Sequence, residues 1–118
     1  MTEIVTPHDV VRELARIRGE SEKGISILRE AQIEFVHLEA EADKAEYRAY
    51  LDAKGTIADR TAISRLQAAE ARLEAEEAKV KVDYIKSKLR QLSEATMAVQ
   101  TSARMVELGW KTAGIGER

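Results

Sequence analysis

Apolar side chains recur along this chain at alternating steps of three and four, the spacing that gathers residues on one side of an α-helix. The clearest run is Leu28, Ala31, Phe35, Leu38, Ala42, Ala45 and Ala49. It predicts a coiled-coil-like helix from about Ser21 or Ile25 to Lys54, with its large residues first and its alanines last. A partner backbone is then expected closer near Ala42 to Ala49 than near Phe35. Ahead of this run, Thr6-Pro7-His8-Asp9 reads as a helix start, with Thr6 as N-cap, Pro7 at the first helical position and Asp9 at the positive end of the dipole. Val10, Leu14 and Ile17, with Val11 beside them, give the helix that follows an apolar side, and Gly19 and Gly24 are expected to end it.

Gly55 is placed to stop the second helix in a left-handed conformation. Thr56 and Asp59 have the spacing of a capping box opening a third helix, so the chain reverses near 55–56 into an antiparallel hairpin. No Gly or Pro interrupts the chain from Thr56 to Gly109, which allows a helix of about 50 residues, roughly 75 Å long. Its stripe reads in two parts. Ala62, Leu66, Ala69, Leu73 and Val80 form one seam, and Ile85, Leu89, Leu92, Val99, Ala103 and Val106 form another, offset by a stutter between Val80 and Ile85.

A second helix of about 34 residues covers the third only to about residue 90, leaving Leu92 to Val106 without a hairpin partner. Thin helices bury little apolar area against the entropy of ordering the chain. Self-association into a ring or bundle is therefore expected, through Ile85, Leu89, Leu92, Val99 and Val106. The fold expected is all-α: a short N-terminal helix followed by a long antiparallel helical hairpin, coiled-coil-like and oligomeric. The divisions are an N-terminal arm over 1–24, the hairpin over 25–109 and a flexible tail over 110–118.

Composition agrees with thin helices. The 118 residues include one Phe, three Tyr and one Trp, and 34% are charged. The single Pro is at position 7. There is no cysteine, so disulfides, thiolate metal sites and a cysteine nucleophile are excluded. Neither a leader pattern nor a run of about 20 apolar residues occurs, and the expectation is a soluble cytoplasmic protein with no membrane partner. Net charge is −2, unevenly placed: residues 1–77 carry 11 basic and 17 acidic side chains, and residues 78–118 carry 8 basic and 4 acidic.

Catalytic patterns are lacking, and the expectation is a protein that is not an enzyme and takes no cofactor. Glu34-Phe35-Val36-His37 has the Glu-x-x-His spacing of helical di-iron sites, but it occurs once where such sites need two, so no metal is expected. The carboxylates around Glu39 to Glu46 and Glu70 to Glu77 have interspersed bases and read as solvated helix faces. No phosphate loop or nucleophile elbow is present; Gly114-Ile115-Gly116 reads as part of the tail.

The stretch Lys79 to Arg90 concentrates five basic side chains, Lys79, Lys81, Lys86, Lys88 and Arg90, around Tyr84 and a single acid. Lys79, Lys86 and Arg90 share a face at spacings of seven and four, with Tyr84 and Lys88 flanking. Closely spaced positive charge suits phosphates, and an aromatic ring stacks on a base without sequence preference. Repetition around an oligomer would multiply such contacts. Arg104 and Lys111 near Trp110 offer a second contact, or Trp110 folds back as an apolar cap on Val106.

In order and texture the chain resembles the UvsY-like recombination mediator family of bacteriophages over roughly residues 25–106. The resemblance rests on the spaced Tyr47 and Tyr50, the break at Lys54-Gly55-Thr56, Asp59-Arg60 opening a long helix, and the mixed basic and apolar stretch from Val80 to Met105. It implies a homo-oligomer, ring-like, that binds single-stranded DNA and helps a recombinase displace single-strand binding protein or anneal strands. The family's DNA contacts then fall on Lys79, Lys81, Lys86, Lys88 and Arg90. The negative net charge departs from a strong DNA binder. A phage structural or scaffolding hairpin that binds only protein is the alternative, and a regulator that docks one helix in a host protein's groove is a third.

Overall fold

The computed structural model describes the backbone of residues 6–116 and the side chains of residues 6–109. Helix α1 runs Pro7–Asp52, α2 runs Ile57–Gln67 and α3 runs Ala69–Gly116, with no strand among the described residues. The starts predicted at Thr6 and Thr56 are built as capping boxes. Thr6 Oγ1 accepts from the Asp9 amide at 3.2 Å while Asp9 Oδ2 accepts from the Thr6 amide at 3.1 Å. Thr56 and Asp59 repeat this arrangement at the start of α2, each bond 3.2 Å long. Gly55 has a φ of +117°, and a Cβ there would meet Asp59 Oδ2 at 2.9 Å, so the stop and the next cap exclude any side chain between them.

The expected break at Gly19 and Gly24 is absent, and α1 is a single helix of 46 residues. A lone glycine costs a helix only about 1 kcal/mol, and local contacts oppose it here. Arg16 donates from Nε to Glu13 at 3.0 Å and from Nη1 to Glu20 at 2.8 Å, tying the turns on both sides of Gly19. The hydrogen bond from Arg16 holds the Glu13 carboxyl below its usual pKa. At Gly24 the glycine serves packing, since a Cβ would lie 2.6 Å from Leu89 Cδ2. The third helix likewise passes Gly109, and its backbone is helical to Gly116 where a flexible tail is expected from sequence.

The chain divides into two units: one takes the chain up to Ile25 together with Ser87 onward, and the other is Ser26–Lys86. In the first, Val10, Ile17 and Val99 are buried together, with Leu14, Leu92, Ala95 and Ala103 packed around them. This overturns the premise that Leu92 to Val106 lacks a partner within the chain. Because α1 is unbroken, its N-terminal turns cover that stripe. Val99 is 6% exposed, Leu92 belongs to the same cluster, Leu89 faces Gly24, and Ile85 and Val106 are partly buried. Leu89, Leu92 and Val99, assigned to self-association, thus serve the chain's own helix pairing.

In the second unit α1 turns through 53–56 into α2, an antiparallel hairpin. Its shielded residues are small: Ala31, Ala42, Ala49, Ser64, Ala68, Ala75, Ala78 and Val82 are all buried. The expected seam on α1 is the observed one, because its seven residues are buried or partly buried. The expected first seam on the third helix is not. Ala62, Leu66, Ala69, Leu73 and Val80 are all exposed, and the buried positions are Ser64, Ala68, Ala75, Ala78 and Val82. Those run on to Ile85, Leu89, Leu92, Val99, Ala103 and Val106 at steps compounded of three and four, so no stutter separates the two halves. Large side chains mark the wrong side because the opposing stretch of α1 is alanine. Two alanine seams let helices meet near the short end of the usual range of about 8–10 Å, where leucines have no room.

The helix expected from Thr56 onward is interrupted once, at Ala68, where ψ opens to 0°. Hydrogen bonds still cross the interruption: the Ala68 amide donates to Ser64 O at 3.0 Å and the Arg72 amide to Ala68 O at 2.9 Å. Ser64 Oγ donates to Thr61 O at 2.9 Å, a side-chain bond of the type that bends helices. Ala68 itself is completely buried.

Candidate functional site

The six residues assigned to nucleic acid all lie on α3, which carries them around its circumference at about 100° per residue. Four belong to the hairpin unit. Lys79 and Lys86, seven apart, share one exposed side beside the buried seam, and Lys81 lies on the other side of that seam. Tyr84 is 62% exposed and lies on the Lys81 side, about 140° around α3 from Lys79, so it does not flank the Lys79 and Lys86 side as expected. Lys81 Nζ is 3.6 Å from Glu34 Oε2 on α1, with both side chains more than half exposed. An exposed pair of this kind contributes roughly 0–1 kcal/mol, so it biases Lys81 toward α1 without locking it there. The other two belong to the unit that holds both ends of the chain. Lys88 and Arg90 are exposed, and Arg90 Nη2 donates to Ser87 Oγ at 3.3 Å. Arg104 is exposed in the same unit; the Trp110 and Lys111 side chains lie outside the described residues.

A stronger electrostatic feature sits elsewhere in the hairpin unit. Arg72 Nη2 donates across the helix pair to Asp43 Oδ1 at 2.6 Å and to Glu46 Oε2 at 2.9 Å. These bonds, Asp43 first, raise the guanidinium's pKa above its usual value. Arg72 therefore links α3 to α1, a contact that sequence spacing hides because its partners are 29 and 26 residues away. The acids around Glu39 to Glu46 are thus partly structural. Glu34 of the Glu-x-x-His pair is the partner of Lys81, and His37 is exposed on α1. Among the described residues no group of three His, Asp or Glu is placed to hold a metal ion. Arg60 Nε, behind the cap of α2, is buried without an acceptor.

The hairpin unit also displays large apolar side chains on its outside. On α2 and α3, Leu66, Leu73 and Val80 are 78%, 60% and 67% exposed. On α1, Ile33, Val36 and Tyr47 are 48%, 63% and 69% exposed. An open groove of about 360 Å³ on α1 is lined by Arg29, Gln32, Ile33, Val36 and His37. No described helix is long and apolar enough to cross a membrane.

These features define a class by architecture: an all-helical hairpin protein with alanine-rich inner seams and apolar outer stripes. Compared with known proteins, the chain matches no family model, no curated protein and no solved structure.

Proposed function

We propose that this chain is a phage recombination mediator: a non-enzymatic homo-oligomer that binds single-stranded DNA and assists recombinase loading or strand annealing. The observation that carries the reading is the exposed basic side of α3 at Lys79 and Lys86. Two lysines on a rigid helix, two turns or about 10 Å apart, meet successive stretches of a phosphate backbone. Lys81 and the Tyr84 ring lie on the other side of the seam, a separate surface where a phosphate competes with Glu34 for Lys81, because the pair it leaves is weak. One chain's patch binds feebly. Copies joined in an assembly present it repeatedly, and each phosphate contact adds affinity and salt sensitivity.

Fluorescence anisotropy with a labelled single-stranded oligonucleotide tests the reading. Binding is expected at low salt and weakening at moderate salt. In Lys79→Glu/Lys86→Glu the slope of log affinity against log salt is expected to fall by about 1.4, or about 0.7 per lost contact. No binding by the wild type at low salt overturns the mediator function. A second reading, a scaffolding hairpin that binds protein alone, is favoured by the outward Leu66, Leu73 and Val80. It gains if the oligomer persists while DNA is ignored.

A further inference from the structure

We propose that the two outer stripes of the hairpin unit are complementary halves of one interface between copies of this chain, with the α2/α3 stripe of one copy seated on the α1 stripe of the next. The inference rests on the self-association in the function proposed above and is independent of DNA. Leu66, Leu73 and Val80 recur at steps of seven, and so do Ile33, Ala40 and Tyr47, all of them exposed. Each stripe spans 14 residue steps, a rise of about 21 Å, so the two match in period and length. Each also lies roughly half a turn from its own helix's buried seam. The stripes therefore face outward from opposite sides of the pair.

Charge selects which stripe meets which. Glu70 and Glu77, both exposed, alternate with Leu66, Leu73 and Val80 on the α2/α3 side. On the α1 side the exposed Arg29 precedes Ile33 by one turn and the exposed Lys44 lies between Ala40 and Tyr47. Of the acids beside that stripe, Asp43 is turned across the pair to Arg72, and Glu41 lies 3.6 Å from Lys44 in an exposed pair of the kind worth roughly 0–1 kcal/mol, which yields to a partner's acid. Arg29, Ile33 and Val36 also line the open groove, a seat for a leucine side chain. Pairing α2/α3 with α2/α3 would set Glu70 and Glu77 against their own copies, and like charges in contact oppose association. Pairing α2/α3 with α1 opposes acid to base. An interface made of two different surfaces propagates from copy to copy, closing into a ring when the rotation per step permits.

Sedimentation velocity at micromolar concentration tests the pairing, with circular dichroism confirming that each variant is helical. The wild type is expected to be oligomeric. Glu70→Lys/Glu77→Lys and Arg29→Glu/Lys44→Glu should each weaken association by about 100-fold or more. Combining all four changes in one chain should restore the wild-type mass, because acid again meets base, and mixing the two variants should restore association. Retention of the wild-type mass by both variants, or failure of the combined chain to recover it, overturns the pairing and leaves self-association standing. A wild type that sediments as a lone subunit overturns both.

Discussion

Gly19 and Gly24 show how two residues of one type carry different information. Nothing lies within 4 Å of a Cβ at Gly19, whereas one at Gly24 would press on Leu89. Replacing Gly19 by Ala should therefore stabilise the protein by about 1 kcal/mol through helix propensity alone. The gain for Gly24→Ala should be smaller by at least half, since Leu89 must turn away. Urea unfolding followed by circular dichroism checks the difference, and equal gains would mean that Gly24 does not mark a close approach. Read in the sequence, both glycines carried the same breaking signal. Their effect was decided by Arg16 linking Glu13 and Glu20, and by the fit of Leu89 on α1. Gly55 was legible at once because its φ of +117° is a local demand, set by the turn itself.

The capped starts at Thr6 and Thr56 and the inner seam of α1 were likewise legible, since capping boxes and a steady apolar repeat act within a few residues. The seam of α2 and the first half of α3 was not. Two stripes with the same period compete there, one of leucine and valine, the other of serine and alanine, and residue size favours the wrong one. Val99 illustrates the consequence for stability. It belongs to the cluster with Val10 and Ile17, so Val99→Asp should destabilise the chain itself by about 3 kcal/mol or more by burying an unpaired charge. Thermal unfolding should show a large loss of melting temperature. A variant with unchanged melting temperature and reduced mass would return Val99 to a contact between subunits.

For the molecule as a whole, binding and assembly are expected to respond to salt in different ways. Exposed charge pairs are screened within about 8 Å at physiological ionic strength, while apolar contacts persist. Raising salt from low to moderate should thus weaken oligonucleotide binding steeply and self-association only modestly, as anisotropy and sedimentation on the same samples would reveal; parallel losses would mean that one surface serves both. Of the candidate site, the basic residues of α3 were visible in the sequence, but the pairing of Lys81 with Glu34 and the Arg72 clamp were not, because they join residues distant in the chain. By itself the sequence determined that the chain is helical, that helices begin at the Thr6 and Thr56 caps and that it turns back at Gly55, since those outcomes depend on neighbours one turn away. Only the tertiary structure decided that α1 runs unbroken, that Leu92 and Val99 are sheltered within the chain, and that Leu66, Leu73 and Val80 face outward. Which of two equally periodic stripes is buried depends on the shape of the opposing helix, and no single segment contains that information.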